Sequence, residues 1–122
     1  MSTNDTNKIL YKELSYKLNG ILFNIHNKLG RFSREKQYSD ELEVSLKNSD
    51  LNYKREYPVS DGNRVDFLID NKIILDVKAK RLILKDDYYQ ILRYLQSSGL
   101  KLGLIVNFRN TFLKPKRIIN LR

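Results

Sequence analysis

Apolar residues recur at Leu10, Leu14, Leu18, Ile21, Leu22, Ile25 and Leu29, the three- and four-residue spacing of one buried helix face. Gly30 supplies the stop to that helix. A second helix is predicted from Ser33 as N-cap to about residue 48, with Tyr38, Leu42 and Leu46 turned inward. The period then changes. Residues 51–59 read as a strand that ends in the turn cluster Ser60-Asp61-Gly62-Asn63. Residues 64–69 and 72–79 read as two central strands joined by a tight turn. In the first, Val65, Phe67 and Ile69 alternate with Asp66 and Leu68; in the second, Ile73, Leu75 and Val77 alternate with Ile74, Asp76 and Lys78. Helical spacing returns over residues 84–98 in Leu84, Tyr88, Ile91, Leu92 and Leu95, and Gly99 closes it. Residues 102–108 form a strongly apolar strand, and residues 116–121 an edge strand. The predicted order is α-α-β-β-β-α-β-β, an α+β domain with a mixed central sheet flanked by helices.

A chain of 122 residues with 41% hydrophobic content builds one core and has no room for a second. Residues 8–122 are therefore expected to form a single domain after a disordered tail at residues 1–7. The absence of cysteine excludes disulfides and thiolate zinc sites and suits a reducing compartment. No apolar leader or bilayer-length segment occurs, so the expected protein is soluble and cytoplasmic, without a membrane partner.

Charge sharpens the picture. The 23 Lys and Arg exceed the 14 Asp and Glu, giving +9 overall, and no acid follows Asp87. Such a basic C-terminal third favours a polyanionic partner, with Arg93, Lys114, Lys116 and Arg117 as candidate phosphate contacts. The plain alternative is a solubilising surface.

Three polar residues fall where a core would not place them. Asp66 is set among apolar neighbours, and a buried carboxylate needs a hydrogen-bond partner, a cation or a proton. Asp76 and Lys78 interrupt the next strand and, two residues apart, share one face of the sheet. A three-residue loop, Asp70-Asn71-Lys72, sets Ile69 against Ile73 and Asp66 against Asp76, with Asn71 suited to the left-handed position. A two-residue loop places the acids on opposite faces. If they meet, their repulsion is relieved by a shared divalent cation, and oxygen ligands select Mg2+ or Mn2+ over zinc. Lys78 beside them would orient or deprotonate a water, or stabilise charge on a phosphate. The alternative is simple neutralisation of Asp76 by Lys78 and of Asp66 by Arg64. Glu35 shares the helical face of Leu42 and Leu46, although the helix dipole also favours a glutamate in a first turn. Gln90 and Tyr94, one turn apart beside Asp87, are candidates to bind a phosphate or hold a water, or are boundary residues of the last helix.

The segments His26-Asn27-Lys28-Leu29-Gly30 and Glu35-Lys36-Gln37-Tyr38 resemble the signature of the GxxExxY family, assigned to the PD-(D/E)XK nuclease superfamily. The resemblance continues through Arg64-Val65-Asp66-Phe67, Asp76-Val77-Lys78-Ala79, Gln90 to Tyr94 and the strand from Leu102 to Phe108. The glycine that names the family is Phe32 here. The resemblance implies a restriction-endonuclease-like fold, metal held by Glu35, Asp66 and Asp76, and a catalytic lysine at Lys78. Gln90 and Tyr94 are similar to the QxxxY motif of RecB-like and lambda-exonuclease-like nucleases, which implies processing of DNA ends. Some RecB-like nucleases also ligate metal through an upstream histidine, which makes His26 a candidate ligand or a structural residue. The functional expectation is a Mg2+- or Mn2+-dependent nuclease acting on DNA in preference to RNA, alone or as a homodimer or part of a larger complex. A non-catalytic nucleic-acid-binding or assembly module on the same fold is the alternative.

Overall fold

The computed structural model describes residues 10–121, so the expected tail at residues 1–7 lies outside the described residues. Helix α1 (Lys12–Leu29) buries Leu18, Leu22 and Ile25. It stops at Gly30, which adopts a φ of 75° and donates its N–H to His26 O. Helix α2 (Glu35–Lys47) begins later than a Ser33 cap would place it. The Ser33 hydroxyl is turned back onto Leu29 O, and the Gln37 side chain instead accepts the Arg34 N–H at 2.8 Å. A side chain from the first turn thus satisfies the N–H of the N-cap residue Arg34.

The strands are β1 (Tyr53–Pro58), β2 (Arg64–Ile69) and β3 (Ile73–Lys78), followed by helix α3 (Lys85–Ser98), β4 (Leu102–Asn107) and β5 (Lys116–Ile119). They pair in chain order β1-β2-β3-β4-β5, antiparallel except for β3 with β4, where the α3 crossover makes the pair parallel. The expected element order and mixed sheet are present. β5 is an edge strand, as predicted, and β1 is the other edge.

Two apolar layers enclose the sheet. Phe67, Ile69, Ile73, Leu75, Val77, Leu104 and Val106 pack with α1 and α2, while Leu68, Ile74 and Ile105 pack with Ile91, Tyr94 and Leu95 of α3. Leu84, read as inward, is exposed at the N-cap of α3, where its N–H is held by the Asp87 carboxylate at 2.7 Å. Close approach of α3 to β4 depends on Gly103, where an added Cβ would lie 2.5 Å from the Ile91 branch methyl. Gly103→Ala is expected to destabilise the fold by about 1–3 kcal/mol through overpacking, measured as a lowered denaturation midpoint.

Strict alternation fails in β2. Val65 joins Tyr57 and Leu68 in the α3-side layer, although Phe67 and Ile69 face the other way. Pairing with β1 skips from Arg55↔Phe67 to Tyr57↔Val65, and the intervening Glu56 has a φ of 51°. A left-handed residue there turns the strand locally, so β2 reorients at Asp66.

Candidate active site

The β2–β3 hairpin determines whether the two acids can meet. Its turn is the three-residue Asp70-Asn71-Lys72, with left-handed φ values at Asp70 and Asn71 and the Lys72 N–H bonded to Ile69 O. Pairing runs Ile69↔Ile73, Leu68↔Ile74 and Phe67↔Leu75, then stops. Beyond that point the Val77 N–H donates to Asp66 Oδ2 at 2.6 Å, so a side chain takes over from the backbone ladder where β2 leaves β3.

Asp66 and Asp76 are brought together there. Burial raises the Asp66 pKa from its ordinary value to about 7, assisted by a hydrogen bond to the Asp76 carboxylate and by its charge, against the opposing pull of the Val77 N–H and Lys78. Burial and the facing Asp76 charge thus favour the protonated form of Asp66. Lys78 Nζ lies 3.0 Å from Asp76 Oδ2 and 3.9 Å from Asp87 Oδ1. Burial pulls the Lys78 pKa down, but the charges of Asp76, Asp87 and Glu35 outweigh it and hold the ammonium above its usual range. The Asp76–Lys78 ion pair is therefore real. Among the described residues Asp66 has no corresponding pair with Arg64.

Glu35, at the first position of α2, lines a cleft of about 370 Å3 with Lys36, Ser39, Arg55, Glu56 and Asp66. A larger cavity of about 560 Å3 lies between α1 and Arg117, but none of these acids lines it. The smaller cleft is the chemically relevant one because it reaches the acid with the perturbed proton.

Among the described residues no three His, Asp or Glu side chains gather tightly enough to cage a metal. The Asp66–Asp76 pair nevertheless fits a hard divalent cation, which would relieve the repulsion of the two carboxylates. With Glu35 across the cleft, the all-oxygen donors suit an ion such as Mg2+ that retains several waters.

Other candidates are placed less centrally. His26 Nε2 lies 2.9 Å from Asn110 O and, since a carbonyl only accepts, donates its proton there to tie α1 to the loop after β4. Tyr94 is buried in the α3-side core and Gln90 is half-buried on the same helix; neither lines the Glu35–Asp66 cleft. Arg93 is exposed on α3. Lys114 and Lys116 line a hollow of about 150 Å3 with Arg81, Tyr88 and Asn110. The Arg117 guanidinium is committed to Ser15 Oγ at 2.9 Å and Leu10 O at 2.8 Å, joining β5 to the start of α1.

Three further groups support the site. Asp87 couples the helix cap to Lys80 at 2.6 Å and to Lys78. Its position three residues after Leu84 was the available sequence signal, since an acid at that position caps a helix. Asn107 pairs with Lys78 across the parallel ladder, accepts the Lys80 N–H at 3.1 Å and donates to Lys80 O at 2.7 Å. Arg55 enters the cleft from β1 while paired with Asp40 at 2.8 Å and Glu43 at 3.0 Å. Nothing in the local pattern singled out Asn107 or Arg55.

Among the described residues, three helices and a five-stranded mixed sheet in the order α-α-β-β-β-α-β-β define a nuclease-like fold of the restriction-endonuclease type. The family model of the PD-(D/E)XK nuclease superfamily matches residues 12–119, and the chain belongs to that superfamily. No curated protein and no solved structure matches it. No helix among the described residues is long and apolar enough to cross a membrane.

Proposed function

We propose that this protein is a Mg2+- or Mn2+-dependent nuclease that hydrolyses phosphodiester bonds, with DNA ends as its substrate. The carrying observation is the juxtaposition of Asp66 with the Asp76–Lys78 ion pair, at a cleft that also receives Glu35. Asp66 and Asp76, with Glu35, would hold the cation, which supplies Lewis-acid stabilisation of the phosphate oxygens and a nucleophile at neutral pH. Lys78, held charged by its acidic neighbours, serves as a stabiliser of phosphate charge more readily than as a base. Asp87 and Asn107 position Lys78 and the strand end that follows it. The resemblance to GxxExxY proteins and the Gln90–Tyr94 pair support end processing, with Gln90 as a phosphate or water contact and Tyr94 as its packed support. His26 remains a candidate ligand through Nδ1, its Nε2 being used in the fold. The test is cleavage of end-labelled single- and double-stranded DNA and RNA with either cation. Cleavage of free DNA ends supports the proposal, and no cleavage of any substrate under any cation condition overturns it.

The lack of a preassembled three-ligand cage among the described residues favours one other reading, a nucleic-acid-binding or assembly module without catalysis. Both readings use the basic side chains as phosphate contacts: Lys114 and Lys116 line one hollow, Arg93 is exposed on α3, and Arg117 lies against α1. Lys114→Glu combined with Lys116→Glu is expected to weaken DNA binding and reduce the slope of log affinity against log salt by about 2. Adding Arg117→Glu should also lower the melting temperature, because that guanidinium holds α1. Titrations over a salt series, with thermal melts of both variants, distinguish the two effects.

A further inference from the structure

The loop between α1 and α2 meets the loop after β4 at an arrangement that neither the acid pair nor the core requires. Arg31 Nε donates to Arg109 O at 2.8 Å, and Arg109 Nε donates back to Arg31 O at 3.1 Å. Two like-charged side chains are thereby fixed side by side, with no carboxylate within ion-pairing distance of either among the described residues. Both guanidiniums lie over the ring of Phe32. Its ring centroid lies 4.7 Å from the Arg31 guanidinium carbon and 5.5 Å from that of Arg109, yet the residue is 74% exposed. The guanidiniums therefore cover part of the ring and leave most of the residue open to solvent.

The platform is linked to the elements that carry the candidate site. Phe32 is three residues before Glu35. Arg109 also reaches Ala79 O at 3.4 Å, beside Lys78, and its N–H is held by Asn107 Oδ1 at 3.2 Å. Tyr38 closes the base of the loop by donating its hydroxyl proton to Gly30 O and stacking on Phe108 with ring centroids 4.2 Å apart. An exposed phenyl ring held by this framework, with two uncompensated guanidiniums, has the chemistry of a stacking surface bordered by phosphate-binding groups.

We propose that Phe32, with Arg31 and Arg109, forms a stacking platform for an unpaired nucleobase of a single strand lying next to the scissile phosphate. The inference rests on the nucleic-acid substrate proposed above and deepens it, since paired and stacked bases in a continuous duplex offer no free face to the ring. Phe32 supplies the stacking plane, and the guanidiniums attract the flanking phosphates.

The experiment is equilibrium binding in EDTA of a single-stranded DNA and a single-stranded RNA of one length, and of a covalently closed circular DNA duplex that has no terminal base pair, for wild type, Phe32→Ala and Phe32→Tyr. Phe32→Ala should weaken binding of one or both single strands by roughly tenfold or more. Phe32→Tyr should retain wild-type binding, and duplex binding should change less than about twofold by comparison with the loss of a stacked base. The DNA and RNA arms identify which strand supplies the base. An unchanged single-strand affinity in Phe32→Ala, or equal losses on single strand and duplex, overturns the platform. Failure of wild type to bind any of the three overturns both the platform and the nucleic-acid reading beneath it. Cleavage of DNA ends by a Phe32→Ala protein with wild-type single-strand affinity would overturn the platform alone.

Discussion

Asp76→Asn is expected to lose both cation-induced stabilisation and cleavage, while Lys78→Ala loses cleavage and keeps the stabilisation. A cation present at about a hundred times its dissociation constant should stabilise wild type by ~3 kcal/mol, or roughly 10 °C for a domain of this size. A neutral amide binds Mg2+ or Mn2+ far more weakly than a carboxylate, so Asp76→Asn should show little of that shift. Lys78 instead lies 3.0 Å from the Asp76 carboxylate as a competing positive charge. Its removal frees that oxygen for the cation but deletes the group proposed to stabilise the phosphate, so the rate should fall by about a hundredfold or more. Thermal melts with and without Mn2+, beside single-turnover cleavage, check both outcomes. A Lys78→Ala protein that cuts as fast as wild type sinks the catalytic assignment.

Asp66→Asn is expected to make the cation-free protein more stable above neutral pH. The Asp66 pKa is raised in the folded state to about 7 from the 3.8 of an unperturbed carboxyl, so the unfolded chain releases this proton first. Its contribution to stability is thus fully present below about 3.8 and declines as pH rises to about 7. At pH 8 the wild type carries two facing carboxylates, whereas the amide of the Asp66→Asn variant would keep the bond from the Val77 N–H and offer its own N–H to Asp76. The substitution should therefore stabilise the cation-free protein at pH 8 by about 2 kcal/mol or more and flatten this part of the pH profile. It should also remove the response to Mn2+. Urea midpoints from pH 4 to pH 8 provide the measurement, and a variant less stable than wild type at pH 8 contradicts the buried-pair account.

Much of this architecture is legible in residue order because it depends on short-range periodicity. The apolar faces of α1 and α2, the stops at Gly30 and Gly99 and the three-residue turn at Asp70-Asn71-Lys72 are local properties. The turn also fixes the register that brings Asp66 to Asp76. The N-cap of α2 was less legible, because Ser33 is suitable in isolation but its hydroxyl bonds to Leu29 O and the Gln37 side chain accepts the N–H of the N-cap residue Arg34. The reorientation of β2 depends on a left-handed glutamate, which composition does not signal. The fold-supporting side of Arg117 depends on a partner 102 residues away, and no pattern within one element reveals it.

The Asp66 bond to the Val77 N–H also bears on how a lineage of this protein would change once released from selection for activity. A position that served only a cation would drift through any residue of suitable size. At position 66, loss of the carboxylate with no replacement acceptor strands the amide of a buried strand and carries a penalty of about 1–3 kcal/mol. Descendants without activity should therefore retain Asn or Ser in place of Asp66 more often than Ala or Val, while position 78 varies widely. An acceptor surviving at 66 would then mark ancestry of the fold, and only an acid at both 66 and 76 with a lysine at 78 would mark retained chemistry.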